Sequence, residues 1–227
     1  MKKKTSLGKK SGKDRERGFT LIEMAMVMVI VGIVVSTIMT VMPSVIKTGK
    51  LKEARANLEK YENALKGFAI INLRLPFADS NGDGVEDAGF TGTLPFRTLG
   101  LSNGNDVWGN PVKYAVYPDL AVPPAPFDKA TLTAKIQALP TSFNPGIVYT
   151  TTATPCTAAV GANSPHQACV IASGGPRDLD GVNSFFDLCT GTAGTGFNAE
   201  NTIQSLNYDD LVRAVSISEF SLITCGP

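Results

Sequence analysis

The chain has 227 residues, of which 43% are hydrophobic and 18% charged, and its 21 basic residues nearly balance its 20 acidic ones. This length allows one or two domains, and the composition is too apolar for a disordered chain and lacks any collagen or coiled-coil bias. The charge is unevenly distributed, because residues 1–18 hold eight basic and two acidic residues, whereas residues 73–227 hold 7 basic and 14 acidic ones. The acidic bulk argues against a nucleic-acid partner, since phosphate contacts need clustered cations.

An apolar run from Phe19 to Met42 follows the basic segment and contains a single charged residue, Glu23. As a helix, this run would extend about 36 Å, which is enough for the ~30 Å hydrocarbon core of a membrane. It is longer than the apolar core of a secretory signal, and no small-residue cleavage site follows it. Because the cations precede the span, the positive-inside rule predicts a single-span protein with a cytoplasmic N-terminus.

The sequence KDRERGFTLIEMAMVMVIVGIVV joins the two segments and resembles the signal of type IV prepilins and pseudopilins. In that pattern a short basic leader ends in Gly18, and Phe19 and Glu23 begin a long apolar helix. The resemblance implies that a prepilin peptidase cleaves between Gly18 and Phe19 and methylates the new amino group of Phe19. It also implies that Glu23 pairs with the N-terminus of a neighbouring subunit, since an ion pair is far stronger in low dielectric than in water.

The resemblance also divides the chain into three parts. These parts are a cleaved leader (1–18), an N-terminal helix (19–72) whose transmembrane and assembly part is 19–42, and an extracytoplasmic globular domain (73–227). The protein is therefore expected in the inner membrane, and after assembly in a periplasmic or cell-surface filament.

Beyond Pro43, apolar residues at steps of three and four predict an amphipathic helix that packs on one side. The stripe consists of Leu51, Ala54, Leu58, Tyr61, Leu65 and Phe68. Charged residues, Glu62 among them, fall largely off this stripe. Pro43 and Gly49 are expected sites of a kink or local melting, because proline removes a backbone donor. By resemblance, the stripe docks onto the globular domain, whereas the apolar half packs against other subunits.

The globular part is rich in turn-forming residues, with 16 Gly and 13 Pro between residues 73 and 227. This composition predicts short strands joined by long loops. Strands are expected at 112–117, 146–151, 168–173 and 214–220, a helix at 128–139 with Asp128 as its N-cap, a helical turn at 207–213 and a loop at 118–127. The order predicts an α+β, pilin-like fold with an antiparallel sheet laid on the long helix.

The turn that contains Trp108, the only tryptophan, also resembles a pseudopilin turn that precedes an aromatic strand. We expect its side chain to anchor the core beside this turn.

Residues 79–87 (DSNGDGVED) match the first nine positions of an EF-hand-type Ca²⁺ loop, in which oxygen ligands alternate along the chain. The candidate ligands are Asp79, Asn81, Asp83, the Val85 carbonyl and Asp87. The twelfth position is Phe90 instead of Glu, so calcium would need water or a further carboxylate such as Glu86 or Asp106. The alternative is an Asp/Asn/Gly-rich surface turn that binds no ion. A second acidic turn has a less complete ligand set and comprises Asp178, Asp180, Gly181 and Asp187.

The four cysteines all lie in the part predicted outside the cytoplasm, where oxidation is available. They are Cys156, Cys169, Cys189 and Cys225. None forms a Cys-x-x-Cys pair, and a single histidine cannot complete a Cys/His zinc site. Two disulfides are therefore expected. Local closure favours Cys156 with Cys169 and Cys189 with Cys225, although all three pairings remain open.

His166 is the only imidazole, and neither a Gly-x-Ser-x-Gly motif nor a phosphate-binding loop accompanies it. We expect an exposed loop histidine and a protein that is not an enzyme.

The leading function is a structural subunit of a type IV pilus or a type II secretion pseudopilus. A minor pilin that binds a surface or a secreted substrate is the alternative, and a membrane-anchored extracytoplasmic enzyme is a weaker third.

Overall fold

The computed structural model describes residues 18–152, 164–179, 186–187 and 195–226, and its fold is α+β, as predicted. A long N-terminal helix, α1 (Leu21–Asn72), precedes an antiparallel sheet. The chain forms two compact units, Met1–Thr48 and Gly49–Pro227. The helix is not interrupted at Pro43 or Gly49, so the predicted local melting does not occur. Proline removes one backbone donor, and the helical turns on either side keep their own bonds.

In the first unit, the part of α1 at residues 21–48 is exposed on all sides. Its side chains are predominantly apolar, and the apolar segment reaches a mean hydropathy of 2.5. By length and composition, α1 is able to cross a membrane. This unit therefore lacks an apolar core of its own, as expected for a segment whose packing partner is a membrane or another chain.

The second unit contains the remaining elements. In chain order these are β1 (Thr91–Thr93), β2 (Lys113–Val116), α2 (Pro118–Ala121), α3 (Lys129–Gln137), β3 (Tyr149–Thr151), β4 (Gln167–Ser173), β5 (Gly196–Asn198), β6 (Leu211–Ser216) and α4 (Ile217–Cys225). Strands β1, β2, β4 and β6 form an antiparallel sheet in that order, with Tyr114 opposite Ile171 and Ala172 opposite Val212.

The core of this unit lies between the sheet and residues 49–72 of α1. Ala54, Leu58, Tyr61 and Leu65 of the predicted stripe are buried there together with central residues of β2 and β4. Trp108 is partly buried and packs against the same cluster, as predicted. The apolar residues that recur about every 3.6 positions thus lie on one face of α1, and this face packs against the sheet of the second unit.

Two elements in the middle of the globular unit differ from the prediction, and a third follows it. A second sheet pairs β3 with β5 in parallel, with Thr150 opposite Phe197, whereas only antiparallel pairing was expected. Residues 118–121 form the short helix α2 instead of a loop. Helix α3 follows the prediction, because the Asp128 carboxylate accepts the N–H of Thr131 at 2.7 Å and caps its start.

The C-terminal prediction was wrong in its second half. The predicted strand at 214–220 ends at Ser216, where α4 begins, and residues 211–213 of the predicted helical turn belong to β6. The hydroxyl of Ser216 accepts the N–H of Glu219 at 3.1 Å and so caps the new helix. A Ser-x-x-Glu spacing is a helix-start signal that the β-branched content of this segment concealed.

Candidate functional site

The N-terminal candidate residues lie at the start of α1, in the first unit. Gly18 and Phe19 precede the helix and are exposed, and Glu23 lies in its first turn. The hydroxyl of Thr20 accepts the N–H of Glu23 at 3.3 Å, and the Glu23 carboxylate accepts the N–H of Thr20 at 3.4 Å. This reciprocal pair is a capping box, in which the carboxylate also meets the positive end of the helix dipole. The Thr-x-x-Glu spacing signals the box in the sequence, and the sequence reasoning missed it.

Nothing in the fold explains a glycine at position 18. A Cβ atom built on Gly18 would have no neighbour within 4 Å, and the residue does not adopt a positive φ. Neither crowding nor backbone conformation among the described residues therefore requires a glycine at this position.

The acidic loop at residues 79–87 folds around a buried carboxylate. Asp79, which is 1% exposed, accepts the N–H groups of Asn81 (3.1 Å), Gly82 (2.7 Å) and Gly84 (2.7 Å). The side chain of Asn81 accepts the N–H of Asp83 at 2.9 Å, and Asp83 accepts the N–H of Val85 at 2.8 Å. The alternate side-chain oxygens thus wind the loop into successive turns.

The ninth position of the loop is engaged with a neighbouring serine. Asp87 accepts the hydroxyl and the N–H of Ser80 at 2.7 and 2.8 Å, and these bonds lower the pKa of Asp87 below its ordinary value. Asp79, Asp83 and Asp87 are not among the described side chains whose ligand atoms meet within 4.8 Å. A calcium ion in this loop remains a prediction.

The two further carboxylates suggested for this loop have protein partners in the structure, and their part in a calcium site remains a prediction. Glu86 binds Arg74 through two contacts of 2.7 Å. Burial opposes the ionisation of Glu86, but the bonds from Arg74 and the Phe77 N–H outweigh it and lower the pKa. Asp106 accepts two backbone N–H groups and the hydroxyl of Ser173 at 2.8 Å. Both carboxylates therefore connect separate segments of the globular unit.

A second acidic cluster was only partly anticipated from the sequence. The carboxylates of Asp187, Asp209 and Asp210 are buried and lie within 4.8 Å of one another, the only such group among the described residues. Asp187 accepts the N–H of Asp209 at 3.0 Å, and Asp210 accepts the N–H of Asp187 at 2.8 Å. Burial lowers the pKa of Lys113, and the nearby negative charge of Asp210 acts in the opposite direction. The adjacent acidic pair before β6 was the missed signal, and Asp180 and Gly181 lie outside the described residues.

An ionic network fastens the second half of α1 to the sheet. Glu62, which is 7% exposed, contacts Arg213 at 2.6 Å and Lys66 at 2.5 Å, and Lys66 also contacts Glu219 at 2.6 Å. Arg213 reaches Glu200 at 2.9 Å. Burial alone would lower the pKa of Lys66, but its two carboxylate partners raise it. The expectation that Glu62 lies off the packing stripe was wrong, because its pairs with Lys66 and Arg213 offset the cost of burying its charge.

Residues 13–39, which include Gly18, Phe19 and Glu23, match the family model described as the prokaryotic N-terminal methylation motif. The chain carries a prepilin-type methylation motif. Together with the long apolar helix, this motif indicates a type IV pilin- or pseudopilin-like precursor, as the sequence resemblance predicted. The pilin-like family with this motif is structural rather than enzymatic. A search of curated proteins found no match, and a search of solved structures found none.

Away from the methylation motif, the structure leaves the cysteine pairing as a prediction. Cys169, buried in β4, and Cys225, half-buried in α4, are free thiols. Burial raises the pKa of the Cys169 thiol far above its ordinary value. Their predicted partners, Cys156 and Cys189, lie outside the described residues.

His166 was predicted to be an exposed loop residue, and this was wrong. Its ring is partly buried and stacks on Phe143, with the ring centroids 5.6 Å apart. The histidine packs between segments of the globular unit because its backbone pairs with Tyr149.

Proposed function

We propose that this protein is a structural subunit, a pilin or pseudopilin, of a type IV pilus or a type II secretion pseudopilus. The methylation motif at the start of an apolar helix is the observation that carries the proposal. The precursor waits in the inner membrane with its N-terminus in the cytoplasm. A prepilin peptidase cleaves it between Gly18 and Phe19 and methylates Phe19, and the mature chain polymerises through its N-terminal helix with neighbouring subunits.

The freedom around Gly18 supports the cleavage site. Since no contact among the described residues restricts this position, the absence of a side chain would serve a protease that encloses the backbone there. Cleavage also removes a segment with eight basic and two acidic residues. The mature subunit is therefore acidic, and the basic segment acts only while the precursor is inserted.

The geometry at Glu23 supports its role in assembly. A carboxylate near the membrane centre costs about 2.5–3.5 kcal/mol, and this cost falls when a cation binds it. The capping box with Thr20 uses backbone donors of the same chain, so the negative charge itself has no cationic partner among the described residues. The ammonium group of a neighbouring subunit's Phe19 supplies the missing charge.

Mass spectrometry of the mature N-terminus tests the processing. We expect a chain that begins with Phe19 and carries one added methyl group. The variant Gly18→Val should accumulate as uncleaved precursor, because a branched side chain fills the space that the peptidase needs, whereas Gly12→Val in the same leader should be processed normally. A mature chain that retains Met1 or is cut at another bond would overturn the proposal.

Two substitutions separate the charge of Glu23 from its capping role. Glu23→Gln removes the charge and keeps the capping box, because Gln serves in this position as well as Glu. Thr20→Ala removes the hydroxyl cap and keeps the charge. We expect Glu23→Gln to insert into the membrane and to be lost from filaments, and Thr20→Ala to be incorporated. Filament incorporation of Glu23→Gln at the level of the unsubstituted protein would contradict the assembly role.

The alternative function is a minor pilin whose acidic domain binds a surface or a secreted substrate at the filament tip. Stoichiometry distinguishes the two roles. A major subunit should dominate purified filaments, whereas a tip subunit should be scarce and its deletion should leave filaments intact.

We also propose that the loop at residues 79–87 binds Ca²⁺, supported by the alternate oxygens that wind it. Isothermal titration of the full chain with calcium should give a binding signal that Asp83→Ala removes, since this exposed carboxylate supports only one N–H group of the fold. Asp210→Asn, in the buried cluster, is the matched control and should keep the signal. The reverse pattern would assign the ion to the buried cluster, and no heat from the unsubstituted protein removes the proposal.

A further inference from the structure

The single histidine of the chain fastens a turn that has no part in the proposed assembly. The Nε2 atom of His166 accepts the backbone N–H of Asn144 at 3.1 Å. Its ring lies parallel to that of Phe143, with an interplanar angle of 2°. One imidazole thus holds two consecutive residues of the segment between α3 and β3.

The histidine itself is anchored on the opposite side. Its backbone forms an antiparallel bridge with Tyr149, and the flanking bonds are Thr150 N–H to the Pro165 carbonyl at 3.2 Å and Gln167 N–H to the Val148 carbonyl at 3.1 Å. The ring therefore cannot follow the turn if the turn moves. Loss of the Nε2 contact therefore removes the link between His166 and the backbone of the turn.

The turn at residues 143–147 is compact and has other attachments besides His166. The ring of Phe143 also meets that of Tyr149 edge-on at 5.1 Å, and Ile147 packs against the core cluster. The side chain of Asn144 accepts the N–H of Gly146 at 2.8 Å, and its carbonyl accepts the N–H of Ile147 at 3.1 Å. The hydroxyl of Thr195 donates to the Pro145 carbonyl at 2.6 Å. The contacts with His166 are thus one of several attachments of the turn, and the Nε2 bond is the one that holds the Asn144 amide.

The hydrogen bond fixes the protonation state of the ring. Because Nε2 is an acceptor, the proton of the neutral imidazole lies on Nδ1. Nδ1 is buried and has no hydrogen-bond partner in the part of the chain that the structure describes. No ion pair among those residues involves His166. A second proton would therefore create a cation without a carboxylate beside it.

The titratable groups that face the ring stay uncharged when it gains a proton. The ring of Tyr117 meets it edge-on at 6.1 Å, and Tyr149 pairs with its backbone. Burial raises the pKa of both tyrosines, and the Asp119 carboxylate raises that of Tyr117 further. Among the described residues, the Asp119 carboxylate is the charged group that acts on Tyr117. An imidazole is in general the side-chain group that changes charge in mildly acidic solution.

We propose that His166 is a pH-sensitive latch: protonation turns Nε2 from an acceptor into a donor, breaks its bond with the Asn144 N–H and loosens the turn at residues 143–147 around Asn144. Two N–H groups then face each other, which leaves both donors without an acceptor. The face of Phe143 tolerates an imidazolium, so the change acts at the amide and not at the stacked ring. The latch would report the pH of the compartment in which the globular domain lies.

Amide hydrogen exchange of the full chain in detergent micelles, measured by NMR, tests the latch. After correction for the intrinsic pH dependence of exchange, we expect the protection of the Asn144 amide to fall about tenfold between about pH 7.5 and about pH 5.5. The amide of Ile171, in the central strand β4, should keep its protection.

Two variants complete the test. His166→Gln offers an acceptor that does not titrate, so the Asn144 amide should have the same protection at both pH values. His166→Phe keeps a stacking ring and removes the acceptor, so this amide should be poorly protected at both. Unchanged protection in the unsubstituted protein, or a pH dependence that persists in His166→Gln, would overturn the proposal. The Gln variant decides the question where the Phe variant does not fold.

Discussion

Between Leu21 and Ile46 the large apolar side chains of α1 are exposed, whereas between Ala54 and Ala69 the same helix buries a residue every three or four positions. The second half finds its packing partner within its own chain. The first half carries apolar residues on every face and has no packing partner among the described residues. The all-round apolar surface of the first half therefore suits a membrane or a filament, whereas the one-sided apolar stripe of the second half suits packing on the sheet.

The largest test of this contrast is a pair of matched truncations. Leu58→Ala, at a position 2% exposed, should lower the free energy of unfolding of the globular unit by about 2–5 kcal/mol, because it leaves a cavity in the core. Ile33→Ala, at a position 62% exposed, should leave it unchanged. Chemical denaturation in detergent, followed by the fluorescence of Trp108, measures both. Equal losses would mean that the two halves do not differ in their partners.

A smaller effect is expected from the ionic network. Glu62→Ala leaves Arg213 and Lys66 without their shared partner, and breaking a buried pair costs up to about 3–5 kcal/mol. Because Arg213 is partly exposed, we expect about 1–3 kcal/mol in the same denaturation experiment. Glu53→Ala, on the exposed face of the same helix, is the control and should change stability by less than about 0.5 kcal/mol. A similar effect at both positions would show that the network adds nothing to packing.

The predictable part of the fold is the part with a local period. The stripe on α1 and the β-branched runs of β2 and β4 were found because a single face or strand buries them. Strands β1 and β5, at three residues each, are too short for any alternation to show. Helix α4 was predicted as a strand because the β-branched residues of this segment favour a strand, although the Ser-x-x-Glu spacing signals a helix start.

The candidate sites differ in the same way: those formed by contiguous residues were predicted, and those formed by residues far apart in the chain were not. The methylation motif is contiguous, so Gly18, Phe19 and Glu23 were identified from sequence and lie within the matched residues. Burial of Glu62 depends on Arg213, 151 residues away along the chain. The buried cluster of Asp187, Asp209 and Asp210 likewise depends on a fold that brings distant carboxylates together. Long-range pairing of this kind has no sequence period.

The hydroxyl caps at the starts of α1 and α4 give a third test, of moderate size. Ser216→Ala removes the cap of α4, which packs in the globular unit, and should cost about 1 kcal/mol of its unfolding free energy. Thr20→Ala removes the equivalent cap at the start of α1 and should leave the unfolding of that unit unchanged. Thermal unfolding monitored at Trp108 compares them. A loss from Thr20→Ala would show that the start of the helix contributes to the stability of the globular unit.

The smallest effect concerns pH and arises in the globular unit. The pKa of Glu86 is lowered in the folded state, so its contribution is present above about pH 4.3, the value for an unfolded chain, and is lost as the pH falls through the folded value. Burial raises the pKa of Glu200, which contributes with the opposite sign. We expect the free energy of unfolding to fall by less than about 1 kcal/mol through Glu86, because its pair with Arg74 is partly exposed.

Two variants separate these contributions in denaturation curves recorded at about pH 6 and about pH 3.5. Glu86→Gln should make the loss of stability in acid shallower, whereas Glu200→Gln should make it steeper, because it removes the group that favours the folded state as protons bind. Glu23→Gln is the control in the first half of α1 and should leave the slope unchanged. Identical slopes for all three would mean that the pH dependence arises from carboxylates outside both pairs. A changed slope for Glu23→Gln would mean that the two halves of the helix share the electrostatics of folding.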